Sequence, residues 1–203
     1  MIRILFHCVV FTIVTVATLA ARPTGQSEGS LVAADGQRLE EKLALIAENA
    51  AVGTQPVEPI VVYQREINAF LRYQAAPELP PGLSEIEVAL SDSGQVSVCA
   101  IVDLSTIRSD RSRDALGPLR YLSGRLPVAV QGLVWSNSGV GRFEIQSVTI
   151  GSIPVPASVL SELVHYYSRN EERPQGIDLA EPFELPYGIT ELRVEHERAI
   201  VIQ

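Results

Sequence analysis

The sequence predicts an α+β fold: a curved antiparallel β-meander with amphipathic helices packed on it and a C-terminal β-hairpin. Three observations predict it. Runs beginning at Arg38, Arg65 and Ala157 repeat apolar residues at helical spacing. Runs between Ser84 and Ile150 alternate apolar with polar residues and are joined by Gly-containing turns. The last stretch, "ITELRVEHERAIVIQ", reads as a hairpin turning at His196-Glu197, with its final Ile-Val-Ile-Gln pinned into the sheet.

Residues 1–21 read as a leader. Arg3 precedes an uncharged, mostly apolar run from Ile4 to Ala20, the pattern of a signal peptide or an N-terminal membrane anchor, and it stands outside the fold. The run is short for a bilayer span. Arg3 and Arg22 lie on opposite flanks, so the charge asymmetry that orients an anchor is weak. Both readings place the rest of the chain outside the cytoplasm, in a periplasm or cell envelope. Leu-Phe-His before Cys8 lacks the small residue that precedes a lipidated cysteine. Beyond the leader only Cys99 remains, so a disulfide framework within the chain is excluded. A conventional core must hold the fold, and a chain of this length can bury about 70% of its unfolded surface in one domain. Removing the leader, which carries Arg3 and no acid, takes the formal net charge from −8 to −9. That balance argues against a nucleic-acid partner. Lys42 is the only lysine among sixteen basic residues.

Residues 22–37, "RPTGQSEGSLVAADGQ", are small, polar and broken by Gly and Pro, and read as a flexible tether. A single domain is expected over residues 38–203. Leu39, Leu43, Ile46 and Ala50 make the first helical stripe, and Ile67, Phe70 and Leu71 a second, shorter one. Between them "PIVVYQ" is a short β-branched run. The prolines of "APELPPGLS" stop the second helix. In Ser84–Ser91 the residues Ile86, Val88 and Leu90 alternate with Glu85, Glu87 and Ala89. In Gln95–Leu104 the residues Val96, Val98, Ala100, Val102 and Leu104 share a face. With Asp92-Ser93-Gly94 between them, these runs predict a hairpin with one dry face.

Leu126–Trp135 and Arg142–Ile150 predict a second hairpin around "SNSGVG". In its second strand the phase slips between Ile145 and Val148, so a bulge near Ser147 is expected. After Pro154 and Pro156 the period returns to helical: Leu160, Leu163, Val164 and Tyr167 make one stripe over Ala157–Ser168. The connection "RNEERPQGIDLAEPFELPYG" is long, yet Ile177, Leu179, Phe183 and Leu185 recur in it. It reads as an extended segment laid on the body with a charged tip at Asn170–Arg173.

Chemistry-bearing residues are sparse. His165 and His196 have no partner at metal-ligand spacing, so no metal site is read. His165 reads as a boundary residue of its helix and His196 as an exposed turn residue. Cys99 lies mid-strand, where a lone thiol acts as a small hydrophobe; no local signature supports a Cys99–His165 nucleophile pair. "SGVGR" resembles part of a phosphate loop but joins two strands, so the turn reading wins. Asp103 ends an apolar strand and reads as a solvated or capping carboxylate. No second acid is placed with it for paired-carboxylate hydrolysis. The one basic segment, Arg108–Arg125, sets Arg108, Arg111, Arg113, Arg120 and Arg125 against Asp110 and Asp114, with Leu116, Leu119, Tyr121 and Leu122 among them. A solvated loop is the default reading. The functional reading is contact with an anionic or membrane surface.

The order of the second half resembles the tubular lipid-binding (TULIP) superfamily, in particular its small bacterial single-module type. The resemblance is carried by "VTIGSIPVPASVLSEL" and "PFELPYGITELRV" and spans about Ile60–Gln203. It implies a strongly curved sheet around a helix, with an apolar groove for acyl chains. By analogy, Phe143, Ile145, Val148, Ile150, Leu160, Leu163 and Val164 would line that groove. The same residues would equally fill a dry core, because both share one binary pattern. The expected function is therefore non-enzymatic and needs no cofactor: binding or carriage of a lipid or acyl chain outside the cytoplasm. The alternative is a structural or assembly protein of the cell envelope acting through protein–protein contacts. A hydrolase would need a constellation that the sequence does not display.

Overall fold

The helical stripes and alternating runs fold as their periods require. In the computed structural model the described residues are 32–52, 58–79, 82–103, 124–158, 160, 161, 164, 176, 178, 179 and 181–203. They form helices α1 (Ala33–Val52) and α2 (Gln64–Tyr73), and strands β1 (Ile60–Tyr63), β2 (Leu83–Leu90), β3 (Gln95–Asp103), β4 (Arg125–Asn137) and β5 (Val140–Ile150). The short strands β6 (Ile153–Pro154) and β7 (Phe183–Glu184) follow, then the terminal pair β8 (Glu191–Glu195) and β9 (Arg198–Ile202). Residues 157, 158, 160, 161 and 164 are helical, within the helix expected after Pro156. The leader, the charged tip at Asn170–Arg173 and His165 lie outside the described residues, as does most of the segment expected as a tether.

The chain is α+β with antiparallel pairing throughout. One difference from expectation is at the start. α1 begins at Ala33, inside the segment read as tether, and its Asp-Gly step is helical and buried. Asp35 stands in the first turn, where a carboxylate opposes the positive end of the helix. It accepts a hydrogen bond from Arg38 and lies 3.9 Å from Arg65. At Gly36 α1 comes close to the end of α2, where the Gln74 side-chain amide lies against it.

A second difference is that the C-terminal hairpin does not extend the meander. β2, β3, β4, β5 and β6 form a six-stranded sheet with β7 also paired to β5, whereas β1, β9 and β8 form a separate three-stranded sheet. The reason lies on the free edge of β2, which α2 occupies with side chains. Asn68 donates from Nδ2 to the Val88 carbonyl at 2.9 Å and accepts the Val88 N–H on Oδ1 at 2.7 Å. Gln64 Oε1 accepts the Leu90 N–H at 2.6 Å. What remains for the terminal hairpin is one bond, from Glu197 N–H to the Leu90 carbonyl at 3.0 Å.

The outer edge of β8 is closed similarly. Ser136 Oγ accepts the Leu192 N–H at 2.5 Å and donates to the Leu192 carbonyl at 3.0 Å. On β1, Lys42 Nζ donates to the Val61 carbonyl at 2.7 Å, and Glu66 Oε2 accepts the Tyr63 N–H at 2.9 Å. Lys42 also donates to both oxygens of Glu66, at 2.8 and 2.7 Å, and Glu66 is 2% exposed.

The bulge occurs where the phase slip requires. Gln131 faces Ser147 and Gly132 faces Ile145, so Gln146 is the extra residue. Glycine at 132 leaves room for the Phe143 ring, which a Cβ would strike. Between the sheets and helices runs one apolar cluster that includes Leu39, Phe70, Val88, Val98, Val130 and Val201.

Replacing Asn68 by Ala strands two buried backbone groups of Val88. It should lower unfolding stability by about 2–4 kcal/mol, read from the urea midpoint at unchanged m-value.

Candidate interaction surface

Alternation along β4 sends Val128, Val130 and Val134 to the core and leaves Trp135 on the opposite face. The hairpin that follows turns through Ser138 and Gly139, whose φ values of 50° and 80° are those of a two-residue turn. Its register sets Trp135 beside Arg142 and Asn137 beside Val140. The result is an exposed cluster at one end of the sheet. Trp135, the only tryptophan in the chain, is 47% exposed, and Val140 is exposed next to it. With Ser136, Asn137 and Arg142 they line a cleft of about 450 Å³ open to solvent. A large amphipathic ring, a guanidinium and a branched aliphatic chain on a rigid hairpin are the residue types that anchor interfaces. The Ser136 hydroxyl in the lining is bonded to both backbone groups of Leu192.

The described residues among those expected to line a groove lie in one cluster but differ in exposure. Val148, Ile150, Leu160 and Val164 are buried among other side chains, at 3, 6, 8 and 3% exposure. Phe143 and Ile145 are only half-buried at the other end of β5. All four β5 residues share a face, as the bulge requires. Leu163 lies outside the described residues. Of the expected arginine surface, Arg125 is described: it pairs with Glu85 at 2.7 Å, both groups exposed. Arg108, Arg111, Arg113 and Arg120 lie outside the described residues.

Asp103 closes β3 opposite Arg125, and its N–H bonds to the Gly82 carbonyl at 2.6 Å. His196 is exposed in the terminal turn, its N–H bonded to Asp92 Oδ1 at 3.1 Å. Among the described residues no group of three or more His, Cys, Asp or Glu is placed to hold a metal, and no helix is long and apolar enough to cross a membrane. Cys99, between Glu87 on β2 and Ala129 on β4, is half-buried. Burial, and secondarily the nearby Glu87 charge, raises its thiol pKa. The thiol form therefore dominates at neutral pH, the reverse of what a nucleophile requires. Sequence reasoning passed over Trp135, although its parity in the β4 run already set it apart from the core positions.

Comparison of the chain with family models, with curated proteins and with solved structures found no match.

A raised thiol pKa has a definite sign in stability. The folded state favours the neutral thiol, so the contribution is complete below the ordinary thiol range and is lost as pH rises through the folded value. Wild-type protein should lose stability relative to Cys99→Ala as pH is raised from about 8.5 upward, measured by urea midpoints across that range.

Proposed function

We propose that this chain is a non-catalytic protein of the cell envelope that works by contact, through the Trp135 end of the β4–β5 hairpin. The observation that carries this reading is the exposure of Trp135 with Val140 and Arg142, in a molecule where Val148, Ile150, Leu160 and Val164 are packed among other side chains. A large indole left in water on a rigid hairpin loses little conformational freedom when a partner covers it. Placement outside the cytoplasm rests on the apolar run Ile4–Ala20.

The lipid-carrier reading keeps one favourable observation. The bulge at Gln146 bends β5, and beyond it Phe143 and Ile145 remain half-buried. In that reading the curved meander wraps the helical segment after Pro156, and an acyl chain lies against those two residues. Each buried methylene would contribute about 0.8 kcal/mol. Val148, Ile150, Leu160 and Val164 weigh against it, because side chains lining a void wide enough for a solvent molecule keep accessible area.

Native mass spectrometry of Arg22–Gln203 purified from a bacterial periplasm separates the two. The contact reading expects a clean apo mass and no uptake of palmitate or phosphatidylglycerol. A stoichiometric lipid, lost in a folded Ile150→Ser variant, would establish the carrier instead. A photoreactive phenylalanine analogue at position 135 should give one discrete cross-linked product in cells of the native host, and none when placed at the exposed Glu40. Trp135→Ala should weaken binding of that product's partner at least about tenfold while leaving the urea midpoint unchanged. Equal cross-linking from both positions would sink the contact reading.

A further inference from the structure

The free edges of both sheets are closed by side chains at Val61 and Tyr63 on β1, Val88 and Leu90 on β2, and Leu192 on β8. The outer edge of β5 is treated differently. β7 pairs with it at Val140 and Gly141, and β6 at Thr149 and Ile150. The Val155 N–H adds a bond to the Val148 carbonyl at 2.9 Å. Between these pieces the two-residue turn makes Asn137 and Val140 a hydrogen-bonded pair, and alternation makes Trp135 with Arg142 and Leu133 with Glu144 the next two. Antiparallel alternation then turns the N–H and C=O of Phe143 and Ile145 outward. Among the described residues, no side chain or strand meets them.

We propose that this gap accepts an extended segment of a partner protein, added antiparallel to β5 as both flanking strands are. Strand addition supplies main-chain hydrogen bonds at Phe143 and Ile145, and the outer-face side chains select the sequence. Those side chains are Arg142 and Glu144, both exposed. The matching segment therefore reads, from its N-terminus, apolar, basic, apolar, acidic. Its basic residue faces Glu144, its acidic residue faces Arg142, and its apolar pair extends the face of Phe143 and Ile145. The same charges disfavour a second copy of this chain. Two-fold pairing of β5 with itself across the gap sets two Glu144 side chains face to face, a destabilising cross-strand pair. The bulge at Gln146 bounds the gap, so the added ladder is short and the binding weak and reversible. This inference shares Arg142 with the Trp135 surface but rests on the outward main chain of Phe143 and Ile145, and it is independent of the compartment.

The test is a titration of ¹⁵N-labelled Arg22–Gln203 with the capped peptide Val-Lys-Val-Glu and with its charge-swapped partner Val-Glu-Val-Lys. Amide shifts should centre on Phe143 and Ile145, and the first peptide should bind about fivefold more tightly. The double variant R142E/E144K, altered only at exposed positions, should reverse that preference. Its fold is checked by the unshifted amides of Val88 and Val194. Trp135→Ala should bind the first peptide as wild type does, so failure of the Trp135 surface and failure of this edge are told apart. The proposal is overturned if the Phe143 and Ile145 amides stay still at about 5 mM peptide. Equal affinities for the two peptides, or no reversal in the double variant, overturn it as well. Concentration-dependent shifts of those amides without peptide, with a dimer in sedimentation, would assign the edge to a second copy.

Discussion

Glu66 is the carboxylate on which the helices and the small sheet meet. An ionised carboxyl so deeply buried is costly unless each oxygen is partnered. Oε1 takes Lys42, and Oε2 takes Lys42 and the Tyr63 N–H. Lys42 comes from α1, Glu66 from α2 and Tyr63 from β1, so one charge pair fixes three elements. The remaining donor of Lys42 goes to the Val61 carbonyl. This accounts for the position of the single lysine in a chain that otherwise uses arginine. Three acceptors at 2.7 to 2.8 Å surround one point, Glu66 Oε1, Glu66 Oε2 and the Val61 carbonyl. A compact ammonium with three donors fits them, whereas a planar guanidinium fork does not. Lys42 also lies 5.2 Å from the centre of the Tyr63 ring, which supplies further cation stabilisation on its exposed side.

The same economy explains the division into two sheets. Edges in β proteins need stopping, and here polar side chains on neighbouring elements do it. Asn68 satisfies both backbone groups of Val88, and Ser136 satisfies both of Leu192. Each of these residues is locally unremarkable: an Asn in a helix and a Ser near a strand end. Their roles depend on segments that lie 20 and 56 positions away.

That distance marks what was legible in the sequence. The first two helical stripes, the alternating strands, the three hairpin turns and the bulge are local periodic signals, and they appear at or within a few residues of their expected positions. The start of α1 was not legible, because Asp-Gly reads as a turn until the close approach of Gln74 to Gly36 is known. The separation of the terminal hairpin was equally hidden, since nothing in "ITELRVEHERAIVIQ" says that the β2 edge is already taken. For the surface, Trp135 was visible by parity, but that it would stay exposed was not. Whether Phe143 and Ile145 line a wall or end a core rests on packing, which the binary pattern does not encode.

The pairing of β1 with β9 sets an order in time. Ile60 meets Val201, and Gln203 reaches back across the fold to bond Asn49, the Ile46 carbonyl and the Tyr187 carbonyl. While the chain is being synthesised, the β2–β5 hairpins can form as they emerge, but β1 has no strand to join. Glu66 and Lys42 then hold a half-built sheet with one edge in water. The small sheet closes only once β9 has emerged, so its assembly is a late, long-range step that local contacts cannot hasten. A chain released early would lack Val194, Ala199 and Val201 from the shared core and expose the apolar residues of β1, an invitation to chaperones or proteases instead of a smaller working domain.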